Sequence, residues 1–180
     1  MAKQYHSIDE VRSICNMMYM LNRLVTPFVI RELQLEGVFS VFQGQDTLCL
    51  LPTAAGKSLI FQILPSLFTE CCSPAPSPLV IVVSPLVALM QDQVESANSM
   101  LGLKLNAIIM KPGLSDDELI GHNLLIGSPE IWLEKRCRNF LASKHVRKNA
   151  VCLVVDEVHK VTWYLFICLL FIIQFSQFLC

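Results

Sequence analysis

Five short apolar runs punctuate the chain: TLCLL (47–51), LVIVV (79–83), NAIIM (106–110), NLLIG (123–127) and VCLVV (151–155). Runs that are apolar at nearly every position suit strands buried on both faces, as in a parallel sheet covered by helices. Between them, roughly 57–68, 86–101, 115–120 and 129–142 carry helical patterns. This alternation predicts an α/β domain with a mostly parallel sheet flanked by helices. Two helices precede it. Ser7-Ile-Asp-Glu10 has the form of a capping box, and Val11, Ile14, Met18 and Leu21 follow at helical spacing, predicting a helix over about 8–25. Beyond Thr26-Pro27, a second stripe of Leu35, Val38, Phe39 and Phe42 ends where Gly44 can cap it. The stretch TECCSPAPSP (69–78), with three prolines, reads as a loop.

Composition narrows the class. A chain of 180 residues with 53% hydrophobic and 16% charged residues can bury a core and is not a disordered segment. Its formal net charge of −1 supplies no global attraction to nucleic acid, so any such binding must come from local groups. The basic cluster Lys135, Arg136, Arg138, Lys144, Arg147 and Lys148 is either a local source of attraction or a solvated helix face and loop. The 8 cysteines include no Cys-x-x-Cys pair or zinc-like spacing with histidine, so no zinc is expected in this portion. The start MAKQYHSIDE lacks the apolar core of a signal peptide, and a reducing intracellular compartment is expected.

Two predicted strand ends carry chemistry. TLCLL runs into Pro-Thr-Ala-Ala-Gly-Lys-Ser (52–58), a strand-to-helix turn ending in the residues of a phosphate loop. Amides at a helix start converge on an anion, Lys57 reaches toward β- and γ-phosphates, and the Ser58 hydroxyl is placed to ligate Mg²⁺. VCLVV runs into Asp156-Glu157-Val158-His159. There Asp156 can hold Mg²⁺ through water, and Glu157 can polarise a water that attacks the γ-phosphate. Ligands of such sheets bind beyond the carboxyl ends of the strands, where both segments are expected. Together they favour a nucleotide-hydrolysing fold over an ordinary strand–helix turn and a pair of solvated carboxylates.

These segments resemble the RecQ family of ATP-dependent DNA helicases in superfamily 2. LPTAAGKSLIFQILP is similar to its motif I, VVSPLVALMQDQV (82–94) to motif Ia, GSPEIWL (127–133) to motif Ib, and VVDEVHKVTW (154–163) to motif II and the start of its aromatic-rich loop. Arg31 and Gln34 match an upstream Arg-x-x-Gln, with Gln34 at the family's spacing before Gly44. The resemblance implies a RecA-like ATP-binding lobe over 28–163, preceded by a helical segment, 1–27. It also implies cofactors ATP and Mg²⁺, with Gln34 reading the adenine edge and Arg31 assisting. Thr53, Ala54, Ala55, Gly56, Lys57 and Ser58 would form the phosphate loop, and Lys57, Asp156, Glu157 and His159 the catalytic set, His159 coupling the nucleotide site to the DNA loop. Ser84, Gln93 and Ser128 would meet the DNA backbone without reading sequence. A nuclear enzyme of recombination and repair, moving 3′ to 5′, is what the family implies. An RNA helicase of the same superfamily and a non-catalytic nucleotide-binding fragment are the competing readings.

Two departures qualify this resemblance. The family has no glycine at the Leu51 position, but Ala54 replaces one; if that turn needs a positive φ, its Cβ costs about 1–2 kcal/mol and weakens nucleotide binding without abolishing it. After Trp163 the match stops, and the chain continues YLFICLLFIIQFSQFLC (164–180). That tail reads as sequence foreign to the family in an incomplete product; a weak membrane anchor and a closing strand or helix are the alternatives. The second lobe and its arginine finger, worth about 10³–10⁵ in rate in related enzymes, lie outside the match. The chain alone is therefore expected to bind nucleotide better than it hydrolyses it, and not to unwind DNA.

Overall fold

The computed structural model describes residues 7–20, 30–52, 55–72, 77–156 and 168–174. Helix α1 (Ile8–Met20) opens on the expected capping box, with the Ser7 amide donating to Glu10 Oε2 at 2.8 Å and the Glu10 amide to Ser7 Oγ at 3.2 Å. Helix α2 (Glu32–Phe42) ends as its sequence predicts, because Gly44 takes a left-handed φ of 83° and its amide bonds to the Val41 carbonyl. Strands β1 (Thr47–Leu51) and β2 (Leu79–Val83) coincide with the apolar runs, and β3 (Ala107–Ile109), β4 (Leu124–Gly127) and β5 (Ala150–Val155) lie within a residue of them.

The expected single helix over 57–68 is two, α3 (Lys57–Gln62) and α4 (Leu64–Cys71). Pro65 is the cause: it has no N–H to give the carbonyl one turn back, so the ladder breaks around Ile63. Helix α4 also carries helical structure into the segment expected to be a loop. Helix α5 (Val87–Ser99) and short α6 (Asp116–Ile120) follow prediction. The helix expected over 129–142 divides at Glu134, whose ψ of 141° is extended, into α7 (Pro129–Leu133) and α8 (Lys135–Leu141). A further helix, α9 (Lys144–Asn149), is capped by Ser143, whose Oγ accepts from the Val146 amide at 3.3 Å.

The six-stranded sheet has the order β1-β6-β5-β2-β4-β3. Strands β5, β2, β4 and β3 pair in parallel. Strand β6 (Cys168–Gln174) comes from the apolar tail and lies between β1 and β5, antiparallel to both. The closing-strand alternative therefore describes 168–174. Because β6 is antiparallel to both neighbours, β1 and β5 run in the same direction, and their carboxyl ends leave one edge of the sheet. Among the described residues no helix is long and apolar enough to cross a membrane.

Helices α1–α5 cover one face over a core that includes Leu35, Phe61, Phe68, Val80 and Val154; α6–α9 cover the other over Leu79, Ile81, Trp132 and Phe140. The second layer does not reach β1. Cys49 and Leu51 are buried, whereas Leu48 and Leu50 are each 56% exposed, so this strand is not covered on both faces as its composition suggested.

Two glycines are required by space, not by backbone angle. A Cβ on Gly37 would stand 3.0 Å from Cys49 Sγ, which shows how closely α2 lies on β1. A Cβ on Gly127 would stand 2.8 Å from both Ile131 Cγ2 and Trp132 Nε1. The Trp132 indole is not free to move, because Nε1 donates to the Val82 carbonyl at 3.0 Å. Gly127→Ala is expected to cost about 1–3 kcal/mol through overpacking, seen as a lowered urea midpoint with an unchanged slope. A wild-type midpoint would show that α7 can shift without loss.

The cysteines contribute packing more than chemistry. Burial pushes the Cys15 thiol up to about 12 and the Cys71 thiol to about 11, leaving both protonated at neutral pH. Cys72 is disulfide-bonded, which departs at that position from the expectation of reduced thiols, while Cys15, Cys49, Cys71, Cys137 and Cys152 are free. No metal-binding cluster of His, Cys, Asp and Glu occurs among the described residues.

Candidate nucleotide site

After β1, the Ala55 amide donates to the Pro52 carbonyl at 3.2 Å. Gly56 then takes a left-handed conformation, φ 74° and ψ 37°, and its carbonyl accepts the Leu59 amide at 3.2 Å. Only glycine adopts that angle freely. Lys57 and Ser58 open α3 and are half-buried. Thr53 and Ala54 lie outside the described residues, so the expected penalty at Ala54 has no structural counterpart here.

Gln34 holds this loop from α2. Its side chain is 1% exposed, and its Nε2 donates to the carbonyls of Ala55 at 2.9 Å and Gly56 at 3.1 Å. Its Oε1 accepts the Arg31 amide at 3.0 Å, so both ends of the amide are engaged by the protein. The adenine-reading role implied for Gln34 would require releasing these bonds. Arg31, at the start of α2, is exposed.

Asp156 follows β5 on the same edge as the loop. Its amide donates to the Val83 carbonyl at 2.9 Å, extending the β5–β2 ladder by one bond, and its carboxylate is buried at 4% exposure. Gln93 of α5 donates from Nε2 to Asp156 Oδ2 at 2.8 Å. Gln62, the last residue of α3, approaches the Gln93 backbone carbonyl through its own Nε2 at 3.5 Å. Helix α3, which begins at Lys57, and Asp156, just past β5, thus meet through α5. Glu157 and His159 lie outside the described residues.

The residues expected at a DNA backbone are placed differently from one another. Ser84 is fully buried and Gln93 is 8% exposed, so neither side chain is presented on a surface where a strand would lie. Sequence reasoning grouped them with backbone contacts because they sit in motif Ia, whereas α5 turns Gln93 inward onto Asp156. Ser128 stays at the edge, half-exposed, and its Oγ accepts the Ile131 amide at the start of α7. The same hydroxyl holds the Glu130 carboxyl below the usual range. Lys135, Arg136, Arg138, Lys144, Arg147 and Lys148 are all exposed along α8 and α9. Gln62 was not singled out from sequence; the available signal was a polar residue inside the apolar run LIFQIL.

The donor types suit a magnesium–polyphosphate ligand. A carboxylate and a hydroxyl are hard oxygen donors, and Lys57 supplies a cation next to the glycine turn. Ser84 Oγ and Gln93 Oε1 are buried with no hydrogen-bond partner. Native interiors rarely leave such atoms unsatisfied unless something else completes the site.

Comparison with known proteins agrees with this layout. The family model of DEAD/DEAH box helicases matches residues 31–166. The ATP-dependent DNA helicase RecQ of Synechocystis is 38% identical over 133 residues, covering 69% of this chain and 25% of that protein. ATP-dependent helicase SGS1 of Saccharomyces cerevisiae is 33% identical over 142 residues, covering 73% of this chain and 9% of its own length. ATP-dependent DNA helicase Q5 of Mus musculus is 35% identical over 161 residues, 84% of this chain and 15% of that one. This chain therefore spans a quarter or less of each of these relatives. Among solved structures, the helicase MrfA bound to DNA and AMPPNP superposes with a TM-score of 0.61 at 19% identity, covering 88% of this chain and 22% of that one, a likeness of fold. The chain thus belongs to the DEAD/DEAH box helicase family, and its similarity runs to the RecQ-like helicases within it.

Proposed function

We propose that this chain is the Mg²⁺-ATP-binding lobe of a RecQ-like DNA helicase. The observation that carries this reading is the shared sheet edge. Strands β1 and β5, separated by β6, run in the same direction, so the glycine turn with Lys57 and Ser58 and the buried Asp156 leave the same edge of the sheet. Lys57 and the loop amides bind and orient the phosphates, while Ser58 and Asp156 hold the cation, which when bound neutralises charge on the phosphates. Glu157 follows Asp156 directly and takes the proton of the attacking water. His159 is assigned, by resemblance to the family, the coupling of the nucleotide site to DNA. In this reading DNA meets this edge through its backbone, with Ser128 taking part and the cations of α8 adding attraction that salt would weaken. Nuclear action in recombination and repair is what the resemblance to the family implies and belongs to the same proposal.

Equilibrium binding of a fluorescent ATP analogue tests the reading. Lys57→Ala removes charge-assisted hydrogen bonds worth about 1.5–3 kcal/mol, so affinity should fall about 10–100-fold. Glu157→Gln should leave affinity within about threefold while lowering any turnover about 10²–10⁴-fold. Nucleotide affinity indifferent to Lys57→Ala would refute the assignment of the loop. Stimulation by single-stranded RNA but not DNA would move the reading to an RNA helicase.

A further inference from the structure

Helix α5 buries Met90, Gln93 and Ala97, a core-facing stripe in which the middle position is polar. An apolar side chain there would pack as well without the cost of desolvating an amide. Gln93 is not in place to satisfy itself, because its Oε1 has no partner. What it does is direct a single donor at Asp156 Oδ2, 2.8 Å away and buried. The amide orientation follows from that contact, since only the NH₂ end can face a carboxylate. The donor itself is held: the Gln93 backbone carbonyl receives Gln62 Nε2 from α3, and Ser84, whose buried hydroxyl is likewise unpartnered, adjoins Val83, the residue that anchors the Asp156 amide.

We propose that Gln93 is a positioning residue for the metal-side carboxylate. It fixes the rotamer of Asp156, and with it the direction in which the carboxylate faces, and it ties that setting to α5. The inference rests on the reading of Asp156 as a magnesium-holding group. Groups that orient a metal-binding carboxylate commonly change metal affinity about 10–100-fold when removed, without touching the metal themselves.

Gln93→Met tests this, because it keeps length and packing while deleting the donor. Binding of a fluorescent ATP analogue would be measured across a magnesium titration and again in excess chelator. The free magnesium giving half of the full affinity gain should rise about 10–100-fold in Gln93→Met, while affinity in chelator stays within about twofold of wild type. A purely structural role would lower affinity equally with and without magnesium, and that result would overturn the proposal. An unchanged magnesium midpoint in Gln93→Met would overturn it too, leaving the site assignment intact. A wild-type chain whose nucleotide affinity ignores magnesium would overturn both together.

Discussion

Ending the chain after Trp163 is expected to abolish nucleotide binding and cooperative unfolding together. Strand β1 stands at the sheet edge and pairs with β6, from Thr47↔Ile172 to Leu51↔Cys168. Strand β6 in turn joins β5, from Cys152↔Gln174 to Val155↔Phe171. Without it, β1 loses its ladder, and its exposed Leu48 and Leu50 show that helix packing supports it on one face only. Net backbone hydrogen bonds contribute about 0.5–1.5 kcal/mol each, so a lost ladder of this length approaches the total stability of about 5–15 kcal/mol of a domain. Circular dichroism through a urea titration, alongside nucleotide binding, would read the effect. Ending the chain after Gln174 instead should preserve both properties. A chain cut after Trp163 that still melts cooperatively and binds nucleotide would show that β1 is held by α2 alone.

Gly56→Ala should be the most damaging single substitution in the loop. Its backbone, at φ 74°, costs an L-residue about 1–2 kcal/mol. The new Cβ would also fall 2.5 Å from Gln34 Nε2, the atom that holds the loop carbonyls. The clamp must then move, so nucleotide affinity should fall by about two orders of magnitude, the equivalent of ~2.8 kcal/mol. A double-mutant cycle with Gln34→Ala separates the causes. If clash dominates, the second change recovers part of the loss; if backbone strain dominates, the two effects add. Affinity retained in Gly56→Ala would mean that the left-handed turn is not needed for binding.

The sheet was readable where local and global demands coincide. Runs such as LVIVV and TLCLL are apolar throughout and end in turn chemistry, so β1 and β2 start and stop where their composition does. The capping box at Ser7 and the terminating Gly44 were legible for the same reason. Failures occurred where one residue outweighed a pattern. Pro65 broke a helix whose apolar spacing continued smoothly past it, and the basic character of α9 concealed a helix that its Ser143 cap announced. Strand β6 could not be assigned from periodicity, since an apolar run without alternation fits a strand, a buried helix or an anchor alike. Within the site, Gly56 and the position of Lys57 followed from the motif. The inward turn of Gln93 did not, because only the fold brings Asp156 of a distant strand to face it.

The reversed strand has a further consequence for the order of folding. Strands β2, β3, β4 and β5 find their neighbours within one continuous stretch of chain, whereas Thr47 waits for Ile172. Contacts between such distant positions carry a large loop-closure cost and form slowly. On a ribosome, most of the sheet can therefore assemble while β1 and the glycine turn it carries remain unpaired. Nucleotide affinity would appear abruptly once the segment around Cys168–Gln174 has emerged, well after the glycine turn itself has been made.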